Sequence, residues 1–399
     1  MKKFSNVELE RIQSFKNKNF NTVHRSSLLV PSFKDSETII TFLNHFFIKR
    51  KINEISLKIT ALNNSGERIS SNTLSIEKPK VYEINLSSMF ANEAKNYILE
   101  FYSANNLAIP FPAVIINHLG KNFCNSVHSY NRVLNDVFEN DSQNKIKVSE
   151  ASVDVLINKT FDTFFVFSSG QEEVKNQLLK LVYLEGKKVI KKNIILNLNR
   201  LSYKKIYLSK YLKKINSNGV LKIDQPSQNM FYGRLMVGRE NKKNKSFSAN
   251  HSYYDNSKFK EYLKSNKSFR TYPYFENFIN KISMYPIMSP SKLQIKIIVH
   301  SLKKDYIASD SIFISPSNAS FNLNINEYVE KMNLKNITAF SVLATTKKKE
   351  IPSRINHQLI YGKNNSKNSL NSSINLSLKN NSIFKKKLKK FYKWGKLIA

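Results

Sequence analysis

The feature that most constrains this chain is a set of short segments that return in one order. Three of them share an apolar-Asn-Leu-(Ser/Asn) core: Ile84-Asn85-Leu86-Ser87, Leu196-Asn197-Leu198-Asn199 and Phe321-Asn322-Leu323-Asn324. Later in each interval comes an extended apolar segment (111–116, 231–237 and 339–343), and then a polar turn. Beyond the turn lies a strand with a histidine: Val127-His128-Ser129-Tyr130, Asn250-His251-Ser252-Tyr253 and Asn356-His357-Gln358-Leu359. A further version, Val23-His24-Arg25, opens the series. Recurrence in a fixed order is the mark of a repeated unit, and the intervals between these histidines have the size of an ordinary domain.

Inside the intervals the pattern is that of strands. Ile55, Leu57, Ile59 and Ala61 alternate with Ser56, Lys58 and Thr60, and Asn63-Asn64-Ser65-Gly66 then supplies a turn. Leu179, Leu181 and Tyr183 alternate in the same way, as do Leu293, Ile295, Ile297 and Val299. Helical periodicity is confined to two weak candidates, 203–214 and 258–264. The expected fold is therefore all-β: three tandem immunoglobulin-like antiparallel β-sandwich modules at 21–130, 131–254 and 255–362, each closing its own apolar interior. Residues 1–20 form an N-terminal extension. The Asn/Ser/Lys-rich segment 363–382 reads as a flexible linker. In 383–399, Phe384, Leu388, Phe391, Tyr392 and Ile398 fall on one face of a helix and lysines on the other, which predicts a short basic amphipathic C-terminal helix.

Charge narrows the partners. Lys and Arg total 64 against 29 Asp and Glu, a formal +35. A lysine- and asparagine-rich composition accounts for abundant lysine but not for scarce acids, so the excess points to an anionic partner, either an acidic polymer or an anionic lipid surface. The C-terminal helix offers Lys385, Lys386, Lys387, Lys389, Lys390, Lys393, Trp394 and Lys396 for an anionic surface. His24, His128, Tyr130, His251, Tyr253 and His357 are candidate ligand-binding residues, as polar and aromatic platforms for a sugar or an anion. Set against that is a structural role, in which the rings bond to a neighbouring strand and fix a junction. Nucleic acid is the alternative partner, because 242–275 interleaves basic and aromatic residues such as Lys258-Phe259-Lys260 and Phe269-Arg270-Thr271-Tyr272.

Chemistry finds little purchase. The sequence has no Gly-rich phosphate loop, no nucleophile elbow and no H-E-x-x-H motif. His118, Cys124 and His128 resemble zinc ligands in type but not in spacing. No catalytic, metal or cofactor residue is assigned, and the expectation is not an enzyme, with a site assembled between modules as the remaining enzymatic alternative. Cys124, the single cysteine, cannot form an intramolecular disulfide. The opening residues lack the apolar stretch of a secretory leader, and 39–48 is too short to cross a bilayer. These readings predict a cytoplasmic binding or accessory protein, with no transmembrane segment, linked to cell-surface polysaccharide and peripheral to the inner membrane surface.

Overall fold

Alternating residues become strands because each strand then buries one face and leaves the other in water. The computed structural model describes residues 25–374 apart from 91–93, 104–112, 134–145, 216–219, 228–234, 255–262, 286–292, 308–311, 315–320, 346–350, 364–372 and interruptions of one to three residues. Most of it is antiparallel sheet. The first group of strands is β1 (Arg25–Pro31), β2 (Glu37–Leu43), β3 (Ser56–Leu62), β4 (Arg68–Ser75), β5 (Val81–Asn85), β6 (Asn96–Tyr102), β7 (Ile115–Gly120), β8 (Phe123–His128) and β9 (Arg132–Val133). They form two sheets, ordered β4-β3-β6-β1-β9 and β5-β2-β7-β8.

The second group is β10 (Ile146–Val153), β11 (Phe161–Ser168), β12 (Val174–Glu185), β13 (Lys188–Leu198), β14 (Tyr203–Tyr207), β15 (Val220–Ser227), β16 (Met236–Asn241), β17 (Phe247–His251) and β18 (Tyr253–Tyr254). Its sheets, β13-β12-β15-β10-β18 and β14-β11-β16-β17, repeat the first pair strand for strand. The third group is β19 (Leu263–Ser265), β20 (Lys267–Pro273), β21 (Phe278–Tyr285), β22 (Leu293–Ser301), β23 (Asp305–Ile307), β24 (Ile312–Ile314), β25 (Phe321–Asn324), β26 (Ile337–Thr345), β27 (Ile351–Pro352), β28 (Asn356–Lys363) and β29 (Ser373–Ile374). It forms β20-β26-β22-β23, with β24 also on β22, then β25-β21-β28-β29 and the small pair β19-β27.

This strand order corrects the sequence alignment in two places. Leu196-Asn197-Leu198-Asn199 ends β13, whereas the place of β5 is taken by β14, so that Ile206-Tyr207-Leu208-Ser209 matches Ile84-Asn85-Leu86-Ser87. Both segments end a strand and enter a helical turn. Asn85 caps α-helix Leu86–Met89 by accepting from the Ser88 N–H at 3.1 Å, and Leu208–Lys210 forms a 3-10 turn. The helix expected over 203–214 is thus a strand and one turn, because Tyr203, Lys205 and Tyr207 alternate with Lys204 and Ile206 at a period of two. The second correction concerns His357. β8 and β17 are equivalent edge strands, but β28 stands one place in from its edge, as β7 and β16 do. His357 is therefore out of step with His128 and His251.

Core packing departs further from the expectation. The buried cluster between the first two sheets, with Leu28, Ile40, Phe42, Ile59, Leu99 and Phe101, continues into Phe164, Val166, Met236, Phe247 and Ala249 of the second group. On the other face of the same sheet, Phe165, Phe167 and Val237 belong to a cluster with Leu179, Leu181 and Ile223. Sheet β14-β11-β16-β17 buries apolar residues on both faces, and the first interval does not close its interior alone. The turn after β3 reinforces the contact. Gly66 has φ +74°, and a Cβ there would lie 1.8 Å from the Arg200 carbonyl oxygen, so only glycine fits. A third cluster holds Tyr272, Ile282, Ile297, Phe340 and Val342.

Candidate functional site

The shared sheet presents to the first group a face that is not purely apolar. Register places Asp162, Phe164 and Val166 of β11, Lys205 and Tyr207 of β14, Glu240 of β16 and Phe247, Ala249 and His251 of β17 on that face. The Lys205 ammonium bonds to Glu240 and sits 4.1 Å from the centroid of Phe164, with Phe33, Phe247 and Tyr207 also within 5.4 Å. The Tyr207 hydroxyl donates to Glu240 at 2.9 Å. Burial pulls the Lys205 pKa down against the pull of Glu240, and it pushes Tyr203 up to about 12. Asp162 is satisfied by the backbone and hydroxyl of Ser209. This is a largely buried ion pair within an aromatic cage, to which Phe33 of the first group contributes one ring.

Facing it is the inner face of β2, β7 and β8. Thr38, His118 and Asn125 are direct cross-strand neighbours there, and each is fully buried. Thr38 Oγ1, both ring nitrogens of His118 and Asn125 Nδ2 have no hydrogen-bond partner among the described residues. Asn125 Oδ1 accepts from the Ala249 N–H across the seam at 2.6 Å. Phe33 and Phe247 flank the imidazole at 4.9 and 5.8 Å between centroids. Burial, with Lys205 adding to it, holds His118 down to about 3, so the ring is neutral. Each unpartnered polar group in such a place costs about 1–3 kcal/mol.

The recurring histidines meet at the end of this seam. His128 closes β8 and His251 closes β17; their Nε2 atoms hydrogen-bond, with ring centroids 4.1 Å apart and planes at 78°. His251 Nδ1 lies 2.7 Å from the Ser252 carbonyl, which only accepts, so Nδ1 carries a proton. The pair then shares one proton between the two Nε2 atoms. Tyr253 lies on β18 opposite Ala151, and His357 on β28 opposite Met284. His24, Tyr130, Lys385, Lys386, Lys387, Lys389, Lys390, Lys393, Trp394 and Lys396 lie outside the described residues. The structure thus joins two of the candidate residues, and His357 is not placed equivalently. Of the zinc-like trio, His118 points inward, whereas Cys124 and His128 occupy the alternate face of β8. Among the described residues no group of three metal-ligating side chains assembles.

Sequence reasoning passed over two further features. In the third group, His300 Nδ1 donates to Asp305 at 2.9 Å, its Nε2 meets the Ser341 hydroxyl at 2.6 Å, and Ser341 meets Thr271 at 2.7 Å. That is the order of groups that activates a serine, yet Ser341 is fully buried between β20 and β22 and no substrate atom reaches it. The network satisfies buried polar groups. The second feature is open to solvent. On the outer face of β12 and β13, Leu178 pairs with Ile195, Lys180 with Asn193 and Val182 with Lys191. Leu178, Val189 and Ile195 are 39%, 51% and 65% exposed, and Lys180 and Lys191 are exposed beside them. The mixture of lysine and apolar residues in β13 was visible, but which of them face outward was not.

Comparison with known proteins adds no assignment. No family model matches the chain, and no curated protein matches it. One solved structure, a calcium-binding mutant of Bacteroides uniformis beta-glucuronidase 2, aligns at 9% identity and a TM-score of 0.16. The alignment covers 63% of this chain and 28% of that one, and at that score the likeness carries no argument about function. Among the described residues no helix is long and apolar enough to cross a membrane.

Proposed function

We propose that this chain is a non-enzymatic binding protein, built of three tandem immunoglobulin-like β-sandwich modules, that holds an acidic polymer or an anionic surface. The observation that carries the reading is the outer face of β12 and β13, where exposed Lys180 and Lys191 stand among exposed Leu178, Val189 and Ile195 on a chain of formal charge +35. An anionic polysaccharide offers both kinds of contact at once, charged groups for the ammonium heads and ring faces for the apolar side chains. Single exposed contacts of this kind are weak, and several along one polymer sum to useful affinity. The basic segment 383–399 extends the same chemistry, with about 1 kcal/mol per lysine beside an anionic lipid surface.

Titration of the full chain with heparin, a sulfated polysaccharide, tests the proposal. The double variant Lys180→Glu, Lys191→Glu is expected to bind at least tenfold more weakly with an unchanged melting temperature. Equal affinity removes the sheet face from the account. Tighter binding to duplex or single-stranded nucleic acid than to heparin at physiological salt assigns the charge to the alternative partner.

A further inference from the structure

We infer that the Thr38–His118–Asn125 row is a hydration site, holding ordered water across β2, β7 and β8 beside the seam with the shared sheet. The three side chains stand side by side on one face of three adjacent strands, since Thr38 pairs with His118 and His118 with Asn125. The Cβ atoms of directly opposed residues in a sheet stand about 4.5–5.5 Å apart, close enough for polar atoms of neighbouring residues to share a water. All three residues are fully buried, and four of their polar atoms lack a partner among the described residues. Together these atoms demand both donors and acceptors. The Asn125 amide donates, the Thr38 hydroxyl does either, and a neutral imidazole offers one N–H and one lone pair. Water both donates and accepts, as that mixture requires, and buried waters typically make about three such bonds. No charge is required of the guest, because the nearby Lys205 ammonium already bonds to Glu240.

The position gives the water a job. Asn125 is tied through Oδ1 to the Ala249 N–H of β17, while its buried Nδ2 has no partner among the described residues. Water held by Nδ2, His118 and Thr38 would fix the Asn125 rotamer, and with it the edge-to-edge contact of β8 and β17 that ends in the His128–His251 pair.

Two measurements on the full-length protein test this. A high-resolution crystal structure should place one or two water oxygens within hydrogen-bond distance of Thr38 Oγ1, a His118 ring nitrogen and Asn125 Nδ2. A dry site, a larger guest, or direct bonds among the three side chains overturns the inference. Thr38→Val gives an independent readout of opposite sign for the two cases. If water is held, the valine strands it and the melting temperature falls by a few degrees. If the hydroxyl is merely orphaned, its removal leaves the melting temperature unchanged or raises it, and the inference fails. Should the valine variant not fold, a long-lived water seen by nuclear Overhauser contact to the His118 ring in the wild type decides the matter, its absence counting against the site.

Discussion

Acidification protonates His118 in the unfolded chain well before it does so in the folded one. The unfolded imidazole titrates near its ordinary 6.5, whereas burial holds the folded group down to about 3. Between those values the unfolded state binds a proton that the native state refuses, so this contribution is complete above the unfolded pKa and is lost as pH falls toward the folded one. The slope approaches about 1.4 kcal/mol per pH unit. Urea midpoints from pH 6.5 to pH 5 should therefore fall faster for the wild type than for His118→Asn, and parallel curves would show that the ring is not held neutral. The histidine pair is expected to behave as a clasp. His128→Ala and His251→Ala each remove the bond between the Nε2 atoms, a loss of about 1 kcal/mol and a few degrees in melting temperature, with heparin affinity unchanged. Weaker binding at equal stability would instead put the pair in the ligand site. The recurrence of His128 and His251 was legible in the sequence because both close edge strands. Their meeting was not, since local pattern says nothing about how two sheets are set against each other.

At the scale of elements, β11 explains both what the sequence disclosed and what it concealed. Its run Phe164-Phe165-Val166-Phe167 is what a strand buried on both faces looks like, without the alternation of a half-buried one. That signal was available, yet it reads equally as one core strand of a closed sandwich, and only the split of its side chains between two clusters reveals the sharing. Phe164→Ala should cost about 3–5 kcal/mol, measured by chemical unfolding, and it should loosen the seam as well as the second group. A loss under about 1 kcal/mol would mean that the face toward the first group is not packed. The strands with clean alternation, β3, β12 and β22, stand where the pattern put them. The misplacement at 196–199 has a simple cause. An apolar-Asn-Leu motif fits the end of any strand entering a turn, and β13 and β5 both end that way. Polar residues of the seam such as Thr38, Asn125, Lys205 and Glu240 carried no sequence mark, because each is ordinary until its neighbours are known.

Taken as a whole molecule, the first two groups form one packed body through the shared sheet, the Gly66–Arg200 approach and the Tyr203 hydroxyl donating to the Ser32 carbonyl at 2.6 Å. Calorimetry of the full chain should show residues 25–254 unfolding in one transition, reported by simultaneous loss of amide protection in β3 and β12. Separate transitions for these two strands would mean that each interval closes its own core after all. The second group carries the outer face of β12 and β13, and the functional proposal stands on it. Hydrogen exchange with and without heparin tests that proposal most directly. Slowed exchange is expected along β12 and β13, with lysine labelling blocked at Lys180 and Lys191. Protection confined to other strands, with labelling of those two lysines unchanged, would contradict it.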